Sequence, residues 1–84
     1  MLYKVYPNPF NPITNIKYEI PEYTNVQIVI FDISGKQVES LINTIQAVGY
    51  HSIGWNAKYY PSGVYFIKMV AGEYVSTQKL MFIK

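Results

Sequence analysis

Residues 26–35, VQIVIFDISG, decide the fold of this chain. Apolar side chains alternate along them in two rows, one of Val26, Ile28 and Ile30 and the other of Val29, Phe31 and Ile33. A strand that is apolar on both faces lies in the middle of a sheet and is largely covered. The stretch closes in a tight turn, because the Asp32 carboxylate can bond to the backbone that follows it and Gly35 accepts a positive φ.

Short apolar runs separated by turn residues continue in both directions from this strand. In residues 15–20, Ile16, Tyr18 and Ile20 share one face, and polar residues occupy the other. The spacing of residues 37–46 fits a short amphipathic helix as well as a bulged strand, and their β-branched content favours the strand. The predicted strands are residues 2–6, 15–20, 26–33, 37–46, 49–56, 64–70 and 74–83. About seven strands with this rhythm of turns predict an all-β, immunoglobulin-like antiparallel β-sandwich that forms a single domain over residues 1–84.

Alternation within the later strands predicts which of their side chains form the core. One face of residues 49–56 carries His51, Ile53 and Trp55. The core residues expected from the last two strands are Tyr65, Ile67, Met69 and Met81. Residues 71–73, Ala-Gly-Glu, are expected to form the hairpin turn between those strands.

The composition excludes several classes of function. Seven lysines face five acidic residues, and neither arginine nor cysteine is present. A weak positive charge without arginine argues against nucleic-acid binding, and the lack of cysteine excludes disulfides and thiolate metal sites. The apolar runs are too short to span a membrane as helices. Met1 leads at once into a proline-rich turn without a signal peptide, so we expect an artificial start and a fragment of a larger protein.

No constellation of residues in the sequence indicates catalysis, a cofactor or a metal site. His51 is the only histidine, and it shares a strand face with apolar residues, so we expect it to be packed or hydrogen-bonded rather than catalytic. Glu19 and Glu22 flank a strand end, where carboxylates are usually ionised and hydrated rather than an acid/base pair. Asp32 lacks the further acidic ligands of a calcium loop, and its expected role is to stabilise a turn. We therefore predict a domain that is not an enzyme.

The tyrosines are the better indication of a binding function. Tyr59 and Tyr60 precede a proline, and Tyr23, Tyr50 and Tyr74 are placed where they can lie on surfaces. Sugars and protein partners both favour such rings, so Tyr59 and Tyr60 are a candidate aromatic patch. The alternative is that tyrosines only cover a thin sandwich and cap its ends.

An ordered set of motifs along the whole chain resembles one family, the type A C-terminal sorting domains of the type IX, or Por, secretion system. The matching segments are YPNPFNP at residues 6–12, FDISGKQV at residues 31–38, Gly49 with His51, Ile53 and Trp55, SGVYF at residues 62–66, and Lys79 with the apolar tail to Lys84. The chain departs from the family pattern at Asn56, where Asp is usual, and at Lys68, where Arg is frequent. The immunoglobulin-like domain of flagellar hook-capping proteins shares parts of the pattern.

The resemblance implies that the domain directs an N-terminal cargo through the outer-membrane type IX translocon to the cell surface. The parent protein would carry a separate Sec signal and pass through the periplasm. A sortase-like peptidase on the surface would remove the domain, and the cargo would be anchored or released there.

A recognition signal is expected in Gly63, Val64, Tyr65, Lys79 and Lys84. The last strand is the natural recognition element, because an edge strand can accept a partner strand by β-augmentation and lysines protect such an edge from wrong partners. An exposed edge could also form a weak homodimer. Two other functions stay open: an accessory module that binds carbohydrate or packs on a catalytic domain, and a structural domain of a hook-capping scaffold.

Overall fold

A computed structural model describes all residues from 1 to 84 and contains six β-strands and no helix. The strands are β1 (Ile13–Ile20), β2 (Thr24–Asp32), β3 (Gln37–Gln46), β4 (Gly49–Asn56), β5 (Gly63–Ala71) and β6 (Tyr74–Phe82). Since every element is a strand, none of the chain forms a helix of the length and apolarity needed to cross a membrane.

The strands form two antiparallel sheets that pack as a sandwich. One sheet pairs β1 with β4, and the other has the order β3-β2-β5-β6. Residues 2–10 pass between them: Leu2 and Tyr6 bridge to β1, and Phe10 bridges in parallel to Phe82 of β6. Immunoglobulin-type domains likewise pack two antiparallel sheets into a sandwich. The predicted immunoglobulin-like β-sandwich is therefore confirmed.

The expected count of about seven strands is wrong by one, because residues 2–6 do not form a continuous strand. Leu2 pairs with Tyr18 and Tyr6 pairs with Asn15, so the register shifts by one residue between the two bridges. Pro7 follows directly and cannot donate a backbone hydrogen bond. The segment lies beside β1 as an interrupted edge rather than as a ladder.

The predicted inward rows meet in one core between the sheets. The predicted rows of β1, β2 and β5 supply many of the fully buried side chains, and Trp55 of β4 and Leu80 and Phe82 of β6 join them. From the predicted rows these are Ile16, Tyr18, Ile20, Val26, Ile28, Ile30, Ile67 and Met69. The prediction that Met81 lies in the core is wrong. Its side chain is 41% exposed, because Leu80 and Phe82 on either side of it point inward. Alternation along β6 then turns Met81 outward.

The ambiguous segment is a strand, and two β-bulges explain its irregular pattern. The pairing of β2 with β3 shifts register twice, which leaves Leu41 and Val38 as the extra residues on β3. Both side chains pack against the core together with Ile42. A bulge changes the direction of the side chain that it adds. Val38, Leu41 and Ile42 therefore face the core at a sequence spacing that is also typical of an amphipathic helix.

The predicted turns form as expected. Asp32 Oδ1 accepts hydrogen bonds from the Ser34 amide at 2.9 Å, from the Ser34 hydroxyl at 2.6 Å and from the Lys36 amide at 3.0 Å. These bonds, the one from the Ser34 hydroxyl first, lower the pKa of Asp32. Between β5 and β6, Gly72 has a φ of 60°, as the first central position of a type II′ hairpin turn requires.

Candidate recognition surface

The five predicted signal residues lie on the β5–β6 ribbon or, for Lys84, just after it. Gly63 pairs with Phe82, Val64 pairs with Met81, and Phe66 pairs with Lys79. The Lys84 amide donates to Ser62 Oγ at 3.0 Å, so the chain end is held beside the turn that contains Gly63. Antiparallel pairing therefore joins positions that are 13 to 19 residues apart in sequence.

Tyr65 also lies on β5, but its side chain points into the core. It is 4% exposed and lies edge-on against Trp55 at a ring separation of 5.4 Å. Its hydroxyl donates to the Pro61 carbonyl at 2.6 Å. This bond to a carbonyl just upstream matches the tyrosine corner of immunoglobulin-type domains. Burial raises the pKa of Tyr65, and the side chain holds the turn rather than facing solvent.

The outer face of the four-stranded sheet is apolar with lysines set into it. Cross-strand pairing aligns Phe31 with Phe66 and Lys79, and the neighbouring row aligns Val29 with Lys68 and Thr77. Val64 and Phe66 are half-buried among these neighbours, whereas Met81 and Lys79 are exposed. No carboxylate stands in either row, so the face combines apolar contact area with unopposed positive charge.

The free edge of β6 is already occupied along its C-terminal half. Asn8 Nδ2 donates to the Lys79 carbonyl at 2.9 Å, and Asn8 Oδ1 accepts from the Met81 amide at 2.9 Å. The Phe10 amide donates to the Met81 carbonyl at 3.0 Å, and the Ile83 amide donates to the Phe10 carbonyl at 3.1 Å. The edge expected to be open for β-augmentation is therefore closed here by residues 8–10.

Residues 2–5 are hydrogen-bonded to β6 as well, through two side chains of that strand, Gln78 and Tyr74. Gln78 Oε1 accepts from the Val5 amide at 2.9 Å, and Gln78 Nε2 donates to the Tyr3 carbonyl at 2.8 Å. The Tyr74 hydroxyl accepts from the Leu2 amide at 2.8 Å. Asn8 and Gln78 were not singled out from the sequence, because an amide side chain gives no sign of a partner more than seventy residues away.

Tyr59 and Tyr60, the predicted aromatic patch, do not form one surface. Tyr59 is 86% exposed, with the Lys58 ammonium 4.9 Å from the centre of its ring. Tyr60 turns inward, and its hydroxyl donates to the Val38 carbonyl at 3.1 Å and to the Glu39 carboxylate at 2.9 Å. Burial, and then the Glu39 carboxylate, raise the pKa of Tyr60.

The side chains considered for catalysis have structural partners. His51 stacks on Tyr18 with ring centres 5.3 Å apart, and its Nε2 lies 2.8 Å from the Ala47 carbonyl. Glu19 Oε1 accepts from the Tyr3 hydroxyl at 2.8 Å. Because the Asp32 oxygen binds the amides and the hydroxyl of its own turn, it acts as the turn residue that the sequence predicts.

Comparison with known proteins identifies a family and a structural likeness. The family described as "Secretion system C-terminal sorting domain" matches residues 4–84 of this chain. No curated protein matches it in sequence. A solved structure of PorZ, described as an essential bacterial surface component of the type-IX secretion system of Porphyromonas gingivalis, is similar with a TM-score of 0.67 and 22% identity. The likeness covers 99% of this chain and 11% of that one, so the chain spans about a tenth of the PorZ length.

Proposed function

The chain belongs to the family of secretion system C-terminal sorting domains, and we propose that outer-membrane type IX machinery recognises it as the sorting signal of a longer exported protein. The observation that supports this most directly is the family match over residues 4–84. The family consists of sorting domains rather than enzymes. Its members mark a protein for export toward the cell surface.

The finer steps of the route are part of the same proposal. The cargo would precede residue 1, a separate Sec signal would take the protein into the periplasm, and a sortase-like peptidase would detach the domain at the surface. A weak homodimer would use the side of β3 that ends the four-stranded sheet. A strand edge of that kind is the usual route to self-association.

The recognition surface that we propose is the outer face of the β5–β6 ribbon, with Val64 and Lys79 as contact residues. Lys79 lies beside Phe66 on an apolar face that has no carboxylate in its row. Such a face suits a partner surface that pairs apolar side chains with acidic groups. Gly63, Tyr65 and Lys84 contribute by shaping the turn and the chain end at one side of that face.

The test fuses a reporter before residue 1 and measures its surface delivery in a type IX-competent host. In Lys79→Glu the charge is reversed, and we expect delivery to fall about tenfold, which corresponds to roughly 1.4 kcal/mol of lost binding. Lys58→Glu is the matched control, because Lys58 is exposed and lies outside the ribbon. Deleting residues 79–84 is less informative, since Leu80 and Phe82 are core residues and their loss would unfold the domain.

Two results would count against the proposal at different levels. If Lys79→Glu and Lys58→Glu are delivered equally well, the outer face of the ribbon is not the recognition surface. If the unaltered domain fails to deliver the reporter while a known type IX signal succeeds in the same host, the sorting function itself is wrong. Thermal unfolding midpoints of both variants confirm that they are folded.

A further inference from the structure

Three tyrosines lie together on the outer face of the two-stranded sheet and the segment beside it. Tyr3 and Tyr6 belong to the interrupted edge next to β1, and Tyr50 belongs to β4 on the other side of β1. Tyr6 is 79% exposed and Tyr50 is 77% exposed. Rings this exposed add little to the stability of the core, and tyrosine is a residue that binding surfaces favour. We call this surface the tyrosine face.

The ring of Tyr3 is held in place before any ligand arrives, and the ring of Tyr50 lies beside it. They lie nearly parallel, with an interplanar angle of 17° and ring centres 6.4 Å apart. The Tyr3 hydroxyl donates to Glu19 Oε1 at 2.8 Å, and this bond to a carboxylate raises the pKa of Tyr3 to about 12. Rings that are already ordered lose little conformational entropy on binding.

Two clefts open on the tyrosine face, and they share Lys17. Each has a volume of about 250 Å³. The first is lined by Tyr3, Lys17, Tyr18, Tyr50, His51 and Ser52. The second is lined by Lys4, Tyr6, Asn15 and Lys17. Each cleft is smaller than a typical drug-sized pocket, and the shared Lys17 makes the two clefts neighbours.

The charge of the tyrosine face favours an anion. Lys4 and Lys17 both line the second cleft, and Lys17 also lines the first. The Glu19 carboxylate lies on the same face and accepts a hydrogen bond from the Tyr3 hydroxyl, which leaves its negative charge in place. Two ammonium groups against one carboxylate leave the face with a net positive charge, and Asn15 and Ser52 offer neutral hydrogen-bonding groups beside them.

We propose that the tyrosine face binds an oligosaccharide that contains an acidic sugar. A pyranose ring presents C–H bonds on its flat faces, which pack against tyrosine rings, and hydroxyl groups around its rim, which bond to Asn, Ser and Lys. A carboxylate on that sugar meets Lys17 and Lys4 as opposite charge. This binding is independent of the sorting proposal, because the face lies on the sheet opposite the β5–β6 ribbon.

The test titrates the 84-residue chain, labelled for NMR, with tetragalacturonate and with 3′-sialyllactose, and uses neutral cellotetraose as the comparison. We expect at least one acidic probe to shift amide signals of residues 2–6, 15–19 and 50–54, and cellotetraose to bind about tenfold more weakly. Raising the salt concentration should weaken the acidic complex, because salt screens exposed charges.

Two substitutions and one control locate the site. Tyr50→Ala and Lys17→Gln should each weaken binding of the acidic probe about tenfold, whereas Tyr59→Ala, at an equally exposed tyrosine outside both clefts, should leave it unchanged. All three side chains are exposed, so the unfolding midpoint should stay near that of the parent chain. The proposal is overturned if neither acidic probe binds, if cellotetraose binds equally well, or if Tyr59→Ala weakens binding as much as Tyr50→Ala.

Discussion

At the scale of single residues, Asp32 shows how one side chain fixes a turn. Its Oδ1 accepts three hydrogen bonds from Ser34 and Lys36, and the Gly35 amide closes the turn by donating to the Asp32 carbonyl at 3.0 Å. An ionised carboxylate is the better acceptor for these bonds. The turn therefore depends on the protonation state of one group that the sequence already places there.

The pKa of Asp32 makes this turn sensitive to acid. Because the folded pKa lies below its ordinary value of 3.8, the stabilisation is complete above that value and is lost as the pH falls through the lower, folded pKa. Urea unfolding midpoints between pH 6 and pH 2.5 should therefore fall with acidity. In Asp32→Asn, whose side chain does not titrate, the fall should be smaller. An identical pH profile for the two proteins would show that other carboxylates cause the acid sensitivity.

At the scale of elements, residues 2–10 form a cover for β6 as well as an edge for β1. They hydrogen-bond to β1 through the backbone and to β6 through Asn8, Phe10 and Gln78. Open strand edges invite pairing with other chains. The proline-rich opening, which the sequence indicates only as a turn, also protects the terminal strand.

Asn8→Ala tests this cover. The change leaves the Lys79 carbonyl and the Met81 amide without their side-chain partner, and we expect the free energy of unfolding to fall by about 1 kcal/mol. The Met81 amide should also exchange its hydrogen faster, because its bond to Asn8 Oδ1 is gone. Chemical denaturation and hydrogen exchange measure the two effects.

Asn11→Ala is the matched control for Asn8→Ala. Asn11 is also exposed and lies in the same proline-rich segment. If both substitutions cost the same stability, the segment matters only as a whole and Asn8 is not a specific cap of the β6 edge.

At the scale of the whole molecule, an aromatic cluster joins the two sheets. The ring centre of Trp55 in β4 lies 5.4 Å from that of Tyr65 in β5 and 5.5 Å from that of Phe10. The Phe10 ring stacks on Phe82 of β6, with ring centres 5.3 Å apart. The Trp55 indole N–H donates to the Glu39 carboxylate at 3.1 Å, which adds β3 to the cluster. Burial of these rings connects both sheets and the N-terminal segment.

Trp55→Ala should therefore destabilise the entire domain. Replacing a buried tryptophan by alanine costs about 3–5 kcal/mol, against a total stability of roughly 4–13 kcal/mol for a chain of this length. We expect a two-state loss of structure with a large fall in the thermal midpoint. Tyr59→Ala should change the free energy of unfolding by less than about 0.5 kcal/mol. A Trp55→Ala domain as stable as the parent would contradict the joining role of the cluster.

The sequence by itself determined most of the fold of this domain. Alternation correctly predicts that Ile16, Tyr18 and Ile20 point into the core, and it predicts the inward face of residues 64–70 as well. The turn residues Asp32, Gly35 and Gly72 mark where strands end. These features are local, because side-chain direction in a strand and the φ of a turn depend on the residue and its immediate neighbours. The family motifs are local too, because each is a short segment of sequence.

Only the tertiary structure decided which surfaces are open and which are closed. Asn8 meets Lys79 and Met81 across separations of more than seventy residues, Tyr60 turns inward to Glu39, and Tyr3 stacks on Tyr50 across β1. The expected seventh strand, residues 2–6, does not form for a similar reason: its pairing with β1 shifts by one residue between Leu2 and Tyr6. Long-range contacts depend on how strands from distant parts of the chain are registered, and no local pattern in this sequence encodes that registration.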